Sequence, residues 1–414
     1  VDGKKIKAVT QLTKQSMSFV FDRATGKPVW PIEEKPVPQG DVPGERLSPT
    51  QPFPTKPAPY EHLGYDENQL IDFTPELRKE AIAIASRYVT GPMYTPTSRV
   101  IAGGKQGTWV QPGYGGGSNW NGAAFDPETG MMFVPTKNSP MVASLTPADP
   151  KHTNLDYIRA TTLTVQGPQG LPVVRPPWSK ITATDMNAGE HRWVKAIGSA
   201  SDNVRNHPAL KGLNLDFANM GQVNIRPSPL ATKTLLFIGE AGALGGDPGG
   251  KMLRAYDKVT GDVLAELQLP AKPSGAPMTY LYKGQQYIAI TVATSQHPAE
   301  LVVMALPQPG KRRQTIVQAP VPVKMAPRNA ATGDINNGRR VYGSACAICH
   351  GQRGEGIEGA GPTLTTQVDS QKVSRMVTSG GVNMPGLQTT LTAEQIRDVT
   401  YYVVERLNAA NNTN

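Results

Sequence analysis

The chain has 414 residues, and its 42 Gly and 38 Pro make about a fifth of it resistant to regular helix or strand, against roughly 12% in an average protein. With 18% charged and 38% hydrophobic residues, coiled coils and long helix bundles are excluded, many short strands joined by turns are favoured, and the length implies two or three domains. All of the +9 formal charge lies in residues 1–328, with neither the stripe nor the aromatic interleaving that a nucleic-acid surface needs, and no apolar run reaches the ~18 residues that cross a bilayer.

In chain order, Lys14 comes first, just before the strand pattern Phe19-Val20-Phe21; on pattern alone it is an exposed strand-edge lysine. Val20-Phe21-Asp22-Arg23-Ala24-Thr25-Gly26, followed by Trp30, then has three echoes. They are Ala124 to Gly130, Ala183 to Gly189 followed by Trp193, and Ala255 to Gly261. Each reads strand, Asp, three residues, Gly, strand. The Asp side chain caps the turn's own N–H groups and Gly takes the positive-φ position. Four copies at irregular spacing predict four or five blades of a β-propeller with inserted loops. Residues 75–88 carry a helical pattern and form an insertion between blades. Asn119-Trp120 follow a Gly-rich stretch, and a Trp there fits blade packing as well as a pocket. The run Gly239 to Gly250 lacks Gly-x-Gly-x-x-Gly and opens no helix, so it reads as a loop over the propeller mouth rather than a nucleotide cradle. His62, His152, His191, His207 and His297 are scattered without metal-ligand spacing and read as structural or exposed.

The repeat with its trailing Trp resembles the tryptophan-docking motif of pyrroloquinoline-quinone (PQQ) dehydrogenases, over residues 1–306. Gly117-Ser118-Asn119-Trp120 is one of several stretches similar to that family, and Glu34-Lys35-Pro36-Val37-Pro38-Gln39-Gly40 and Thr50-Gln51-Pro52-Phe53 look most like its glucose, quinate and polyol branch. The resemblance implies an eight-bladed all-β propeller with PQQ near its axis, beside Ca²⁺ or another divalent ion. It implies hydride transfer from an alcohol, sugar or polyol to the quinone, with a catalytic Asp taking the proton. Lys14 matches the family's lysine that hydrogen-bonds the quinone oxygens, an ammonium placed where negative charge develops. Asn119 and Trp120 match a pocket position beside the quinone.

Residues 307–328 hold five prolines and five basic residues with no acid, the composition of an extended, semi-rigid tether. Beyond it, 329–414 read as a small all-α domain with helices over 332–343 and 392–407, the second opened by Thr392 and Gln395 at capping-box spacing. Both cysteines of the chain fall in Cys346-Ala347-Ile348-Cys349-His350, the attachment signature of c-type haem. A structural zinc site would want two further ligands at similar spacing, and a thioredoxin-like motif a βαβ setting. The axial partner of His350 is a methionine: Met376 sits at core spacing on a helix, whereas Met384 stands in a loop, where an apolar side chain wants a reason, and is preferred. With the glycines that follow, the segment resembles a class I cytochrome c, and the resemblance implies that a carbonyl near Pro362 accepts the second N–H of His350.

Together these readings give a periplasmic quinohaemoprotein dehydrogenase: PQQ oxidises the substrate, and haem c passes electrons to a cytochrome or a membrane quinone system. The family's catalytic Asp, most metal ligands and PQQ-stacking disulfide belong to blades preceding the Lys14 match. The chain is therefore expected to be the C-terminal part of a longer enzyme, or to pair with a chain carrying the other blades. The alternative is a non-enzymatic electron-transfer or scaffold protein with a degenerate propeller and haem as sole cofactor.

Overall fold

The computed structural model describes residues 1–407 except 2, 120, 152, 242–248, 295–296, 307–332, 358–360, 365–369, 382–383 and 389. It divides into two compact units, Val1–Arg312 and Arg313–Asn414. The tether expected over 307–328 lies outside the described residues.

The first unit begins with a hairpin of β1 (Ala8–Leu12) and β2 (Ser18–Asp22), then a second of β3 (Ile32–Pro36) and β4 (Thr50–Pro54). Helix α1 (Pro75–Ala85) starts where Thr74 Oγ1 accepts the Leu77 N–H at 3.2 Å and Pro75 takes the first helical position. It ends three residues short of the expected 88 and buries Leu77, Ala81 and Ala85 in a core built around Trp109 and Trp178. Strands β5 (Ser98–Arg99) and β6 (Thr108–Val110) precede β7 (Ala124–Asp126) and β8 (Met131–Lys137). The hairpin of β9 (Met141–Pro147) and β10 (Tyr157–Thr164) pairs with β5 and β6. The chain then returns through β11 (Ser179–Asp185) and β12 (Glu190–Ala196) to complete an antiparallel sheet of order β7-β8-β11-β12. After a short turn of helix, α2 (Asp202–Arg205), comes a four-stranded meander: β13 (Pro229–Ala231), β14 (Leu235–Gly239), β15 (Met252–Asp257) and β16 (Val263–Gln268). A three-stranded one follows: β17 (Met278–Tyr282), β18 (Gln285–Thr294) and β19 (His297–Ala305). Successive antiparallel meanders are the unit of a propeller.

All four Asp-to-Gly turns form alike. The Asp side chains of Asp22, Asp126, Asp185 and Asp257 each accept the N–H two residues on, at 2.8, 3.1, 2.8 and 2.7 Å. Gly26, Gly130, Gly189 and Gly261 take φ between +70° and +75°. Their count is not the blade count, however. The turns at Asp126 and Asp185 join β7 to β8 and β11 to β12 of one sheet, and β17–β18 turns instead on Lys283-Gly284, both at positive φ. Turn chemistry reports a hairpin, and a four-stranded sheet holds more than one.

What joins sheet to sheet is the trailing tryptophan. A Cβ on Gly189 would stand 3.0 Å from the Trp30 ring, and one on Gly261 would stand 2.8 Å from that of Trp193. Only glycine lets the indole lie against the turn of the next sheet. Trp193 adds an N–H donated to the Lys258 carbonyl at 3.1 Å, and Lys258 Nζ meets Asp126 at 2.6 Å in a buried ion pair. Burial pushes the Asp126 carboxyl up, but the Lys258, Thr129 and Glu128 donors outweigh it and hold it below the usual carboxylate range.

The second unit is helical: α3 (Ile335–Ala345), α4 (Ala347–His350), α5 (Ser370–Ser379) and α6 (Ala393–Tyr402), whose last turn widens over Val403–Leu407. Helix α3 starts later than the expected 332 because Asp334 caps it, its Oδ1 accepting the Asn336 and Asn337 N–H groups at 3.0 and 3.1 Å. It crosses α6 at Gly338, where a Cβ would stand 2.1 Å from the Asp398 carbonyl. The fully buried Asp398 carboxylate accepts from the Asp334 N–H at 2.9 Å and the Asn337 amide at 2.8 Å. The Thr392–Gln395 capping box closes reciprocally, at 3.1 and 2.9 Å.

Candidate functional sites: a haem cradle and a lysine-lined cavity

Cys346 stands at the junction of α3 and α4, and its carbonyl accepts the N–H groups of Cys349 and His350 at 3.1 and 3.0 Å. This turn sets the two thiols three residues apart, on one face. Burial, with Cys349 adding to it, pushes the Cys346 thiol up to about 11, so it is held as the neutral thiol. His350 is 7% exposed, and its Nδ1 lies 2.8 Å from the Pro362 carbonyl oxygen. A carbonyl only accepts, so Nδ1 carries the proton and Nε2 keeps the lone pair a metal needs. The acceptor expected near Pro362 is thus in place.

The glycines after the motif make this approach possible. A Cβ on Gly361 would stand 2.7 Å from the Cys349 carbonyl and 3.1 Å from His350 Nδ1. The Tyr342 hydroxyl ties down the far side, donating to the Gly351 carbonyl at 2.7 Å. Met384 packs against the same apolar cluster as Cys346, whereas the Met376 thioether lies over Gly381, where a Cβ would touch its methyl at 2.4 Å. Two thiols, a buried imidazole of fixed tautomer and a thioether beside the same core are a donor set that fits haem c.

In the first unit Lys14 lies in the turn between β1 and β2 and is exposed. Its carbonyl accepts the Gly117 N–H at 3.0 Å, and Ser118 bonds to Thr13 and to Ser16, at 2.7 and 3.0 Å. Its side-chain stem runs against Gly116, where a Cβ would stand 3.0 Å from Lys14 Cγ. Asn119 Nδ2 donates to the Gly115 carbonyl at 2.7 Å; Trp120 lies outside the described residues. Lys14 borders two cavities, one of about 420 Å³ that also meets Gly113, Tyr114 and Trp109, and one of about 900 Å³ that also meets Asn119. Both fall in the range of small-molecule sites. A long cation and an amide at one rim fit one flank of a quinone. Glu45 is the sole carboxylate on the smaller cavity, and it is exposed. Among the described residues no group of three or more His, Cys, Asp or Glu side chains is placed to hold a metal ion.

Three residues here escaped the sequence reading. Lys137, at the end of β8, is 4% exposed and donates to Asn224 Oδ1, and Asn224 takes φ +55°. Arg226 follows on the same loop. Neither basic residue stands in a motif; the one signal was a lysine closing the apolar strand Met131 to Lys137. Of the histidines, His191 packs its ring against Tyr60 at 4.9 Å, tilted by 43°, and bonds to Thr184 at 3.0 Å, and burial lowers its basicity. His207 accepts the Ala209 N–H at 3.2 Å. Of the run Gly239 to Gly250, residues 242–248 lie outside the described residues.

Comparison with known proteins bears on both units. Residues 1–288 match the glucose/ethanol/alcohol dehydrogenase β-propeller (PQQ) family, and residues 333–403 match cytochrome c oxidase, cbb3-type, subunit III. The large subunit of glycerol dehydrogenase from Gluconobacter thailandicus is 30% identical over 342 residues, 74% of this chain and 44% of that protein. Quinoprotein glucose dehydrogenase A of Acinetobacter calcoaceticus is 29% identical over 309 residues, 70% of this chain and 36% of that protein. The chain thus spans less than half the length of these relatives. Among solved structures, the quinohemoprotein alcohol dehydrogenase from Comamonas testosteroni aligns with 99% of this chain and 52% of its own, at 18% identity and a TM-score of 0.42. The chain belongs to the PQQ-dependent glucose/ethanol/alcohol dehydrogenase β-propeller family, and a cbb3-type cytochrome c region follows the propeller sheets in sequence.

Proposed function

We propose that the protein acts in the PQQ-dependent oxidation of an alcohol, sugar or polyol and delivers the electrons through haem c to an external cytochrome or a membrane quinone system, in the periplasm. The observation that carries this reading is the presence, in one chain, of the Lys14 rim in the quinone family's propeller and of the His350 cradle. PQQ, when bound, supplies a two-electron hydride acceptor. Lys14 holds the quinone oxygens with its ammonium, where negative charge develops, and Asn119 orients the same edge. Cys346 and Cys349 hold haem through thioethers. His350 Nε2, its ring held by the Pro362 carbonyl, and the Met384 thioether would hold the haem iron.

No side chain of the described residues is assigned as proton acceptor. We assign that role, with the divalent-ion ligands and the remaining blades, to further polypeptide, either in the same chain or in a partner. The support is that the relatives are more than twice as long as their match to this chain. Native protein should therefore show an intact mass well above that of 414 residues, or co-purify with a second chain.

Lys14→Ala tests the site itself. With PQQ and Ca²⁺ added, dye reduction by glucose, glycerol or ethanol should fall about 10²–10³-fold, the usual loss of one positioned oxyanion donor, while the haem spectrum stays intact. Unchanged turnover would remove Lys14 from the site, whereas no turnover of any alcohol or sugar by the complete wild-type protein would favour the scaffold reading.

A further inference from the structure

Gly115 lies in the loop 113–119 that packs against Lys14, and its φ lies outside the left-handed region, so backbone conformation does not require glycine there. What it provides is space. The nearest atoms to a Cβ placed there would be two cationic head groups, Arg226 Nη2 at 3.2 Å and Lys137 Nζ at 3.6 Å. One residue on, the stem of Lys14 lies against Gly116. Three positive side chains from sequence positions 14, 137 and 226 therefore converge on one dipeptide.

Like charges do not gather in a partly buried place without something to draw them. Buried carboxylates of the first unit are engaged elsewhere: Glu61 by Lys180 at 3.0 Å and Thr136 at 2.6 Å, Glu240 by Arg254, and Asp126 by Lys258. Among the ion pairs resolved in the described residues, none includes Arg226. Its Nε is buried without a hydrogen-bond acceptor, a donor left unsatisfied at a cost. Asn224 meanwhile takes a left-handed backbone to place its amide oxygen on Lys137 Nζ, which fixes the ammonium over the gap. A planar guanidinium and a held ammonium, 3.2 and 3.6 Å from one point above Gly115, stand at hydrogen-bond range of a single oxygen placed there, and that pairing matches a carboxylate, which accepts N–H bonds from the fork and from the lysine.

We propose that Arg226 and Lys137, meeting over the space Gly115 leaves beside Lys14, form a carboxylate clamp. Gly115, over which the two cations meet, lies on the loop that carries Asn119 on the larger cavity and Gly113 on the smaller, so the carboxylate would belong to a molecule seated at the Lys14 rim. Two sources share that chemistry: a carboxylate of the quinone cofactor, or that of a polyhydroxy-acid substrate. The choice between them rests on the function proposed above; the clamp does not.

The test uses the full chain with Arg226→Gln, Gly115→Asp and Gly115→Asn, and three readouts: PQQ titration, KM for a polyhydroxy acid against its neutral polyol, and the melting shift produced by citrate. Gly115→Asp supplies the carboxylate internally, so it should melt higher than wild type without ligand and ignore citrate, whereas neutral Gly115→Asn should not gain. Arg226→Gln should weaken carboxylate binding about tenfold or more. Weakened PQQ binding assigns the carboxylate to the cofactor; unchanged PQQ binding with a raised KM for the acid alone assigns it to the substrate. A wild-type chain that takes up no PQQ counts against the quinone reading, and the citrate shift still decides the clamp. The clamp is overturned if Arg226→Gln and Gly115→Asp leave PQQ affinity, acid KM and citrate shift all within about twofold of wild type.

Discussion

The two sites are assembled in opposite ways. The haem cradle is local: Tyr342, Cys346, Cys349, His350 and Pro362 fall within one short stretch, and one helical turn with a glycine-bearing loop brings them together. The Lys14 rim is not. It draws on residues 14, 115–119, 137 and 224–226, which meet only because three sheets stand in fixed relation. The cradle should therefore depend on its own backbone, and the rim on the contacts that dock sheet to sheet.

The largest effect should come from the cradle itself. His350→Ala or Cys349→Ser is expected to abolish the six-coordinate, covalently held haem, read from the acid-acetone-resistant Soret band. Gly361→Val, which forces a Cβ into the Cys349 carbonyl, should do nearly as much without removing any ligand. If the cradle were instead shaped by distant contacts, Gly361→Val would be tolerated.

The next perturbation should split the two sites. Lys258→Met leaves Asp126 buried without its cation and should cost the first unit about 3–5 kcal/mol, weakening PQQ binding while the haem spectrum stays unchanged. The same pair sets an acid limit. Because the folded Asp126 carboxyl lies below its ordinary value, its contribution is complete above that value and is lost as pH falls through the lowered one. Wild type should thus lose stability below about pH 4, and Lys258→Met should show a weaker acid dependence in the same window. The smallest effect belongs to Thr392→Ala. Loss of the capping box should cost the second unit about 1 kcal/mol, seen in the haem-monitored melt and not in that of the sheets.

Legibility in the sequence followed the same divide. Cys346 to His350 and the Thr392 cap could be read directly, because the residues that cooperate are neighbours. The four Asp-to-Gly turns were legible as hairpins. Which of those hairpins share a sheet was not legible, because it depends on the long excursion between β8 and β11. Lys14 and Asn119 were found through resemblance to a family and not through pattern. Lys137 and Arg226 were not found, because a lysine closing an apolar strand and an arginine before a proline carry no periodic signal until the fold sets them beside Gly115. The trailing tryptophans were legible as packing residues, and the two glycines they lean on, Gly189 and Gly261, serve packing as well as the positive φ that all four repeat glycines share.

The account's central claim is that reducing equivalents from the quinone site reach the haem of the same chain. Native protein, loaded with haem c, PQQ and Ca²⁺, should be mixed anaerobically with an oxidisable alcohol or sugar while the haem α band is followed. The account expects the reduced band to appear with substrate and PQQ together and with neither alone. A haem that stays oxidised across sugars, polyols, alcohols and hydroxy acids, in protein shown to hold PQQ, would contradict it.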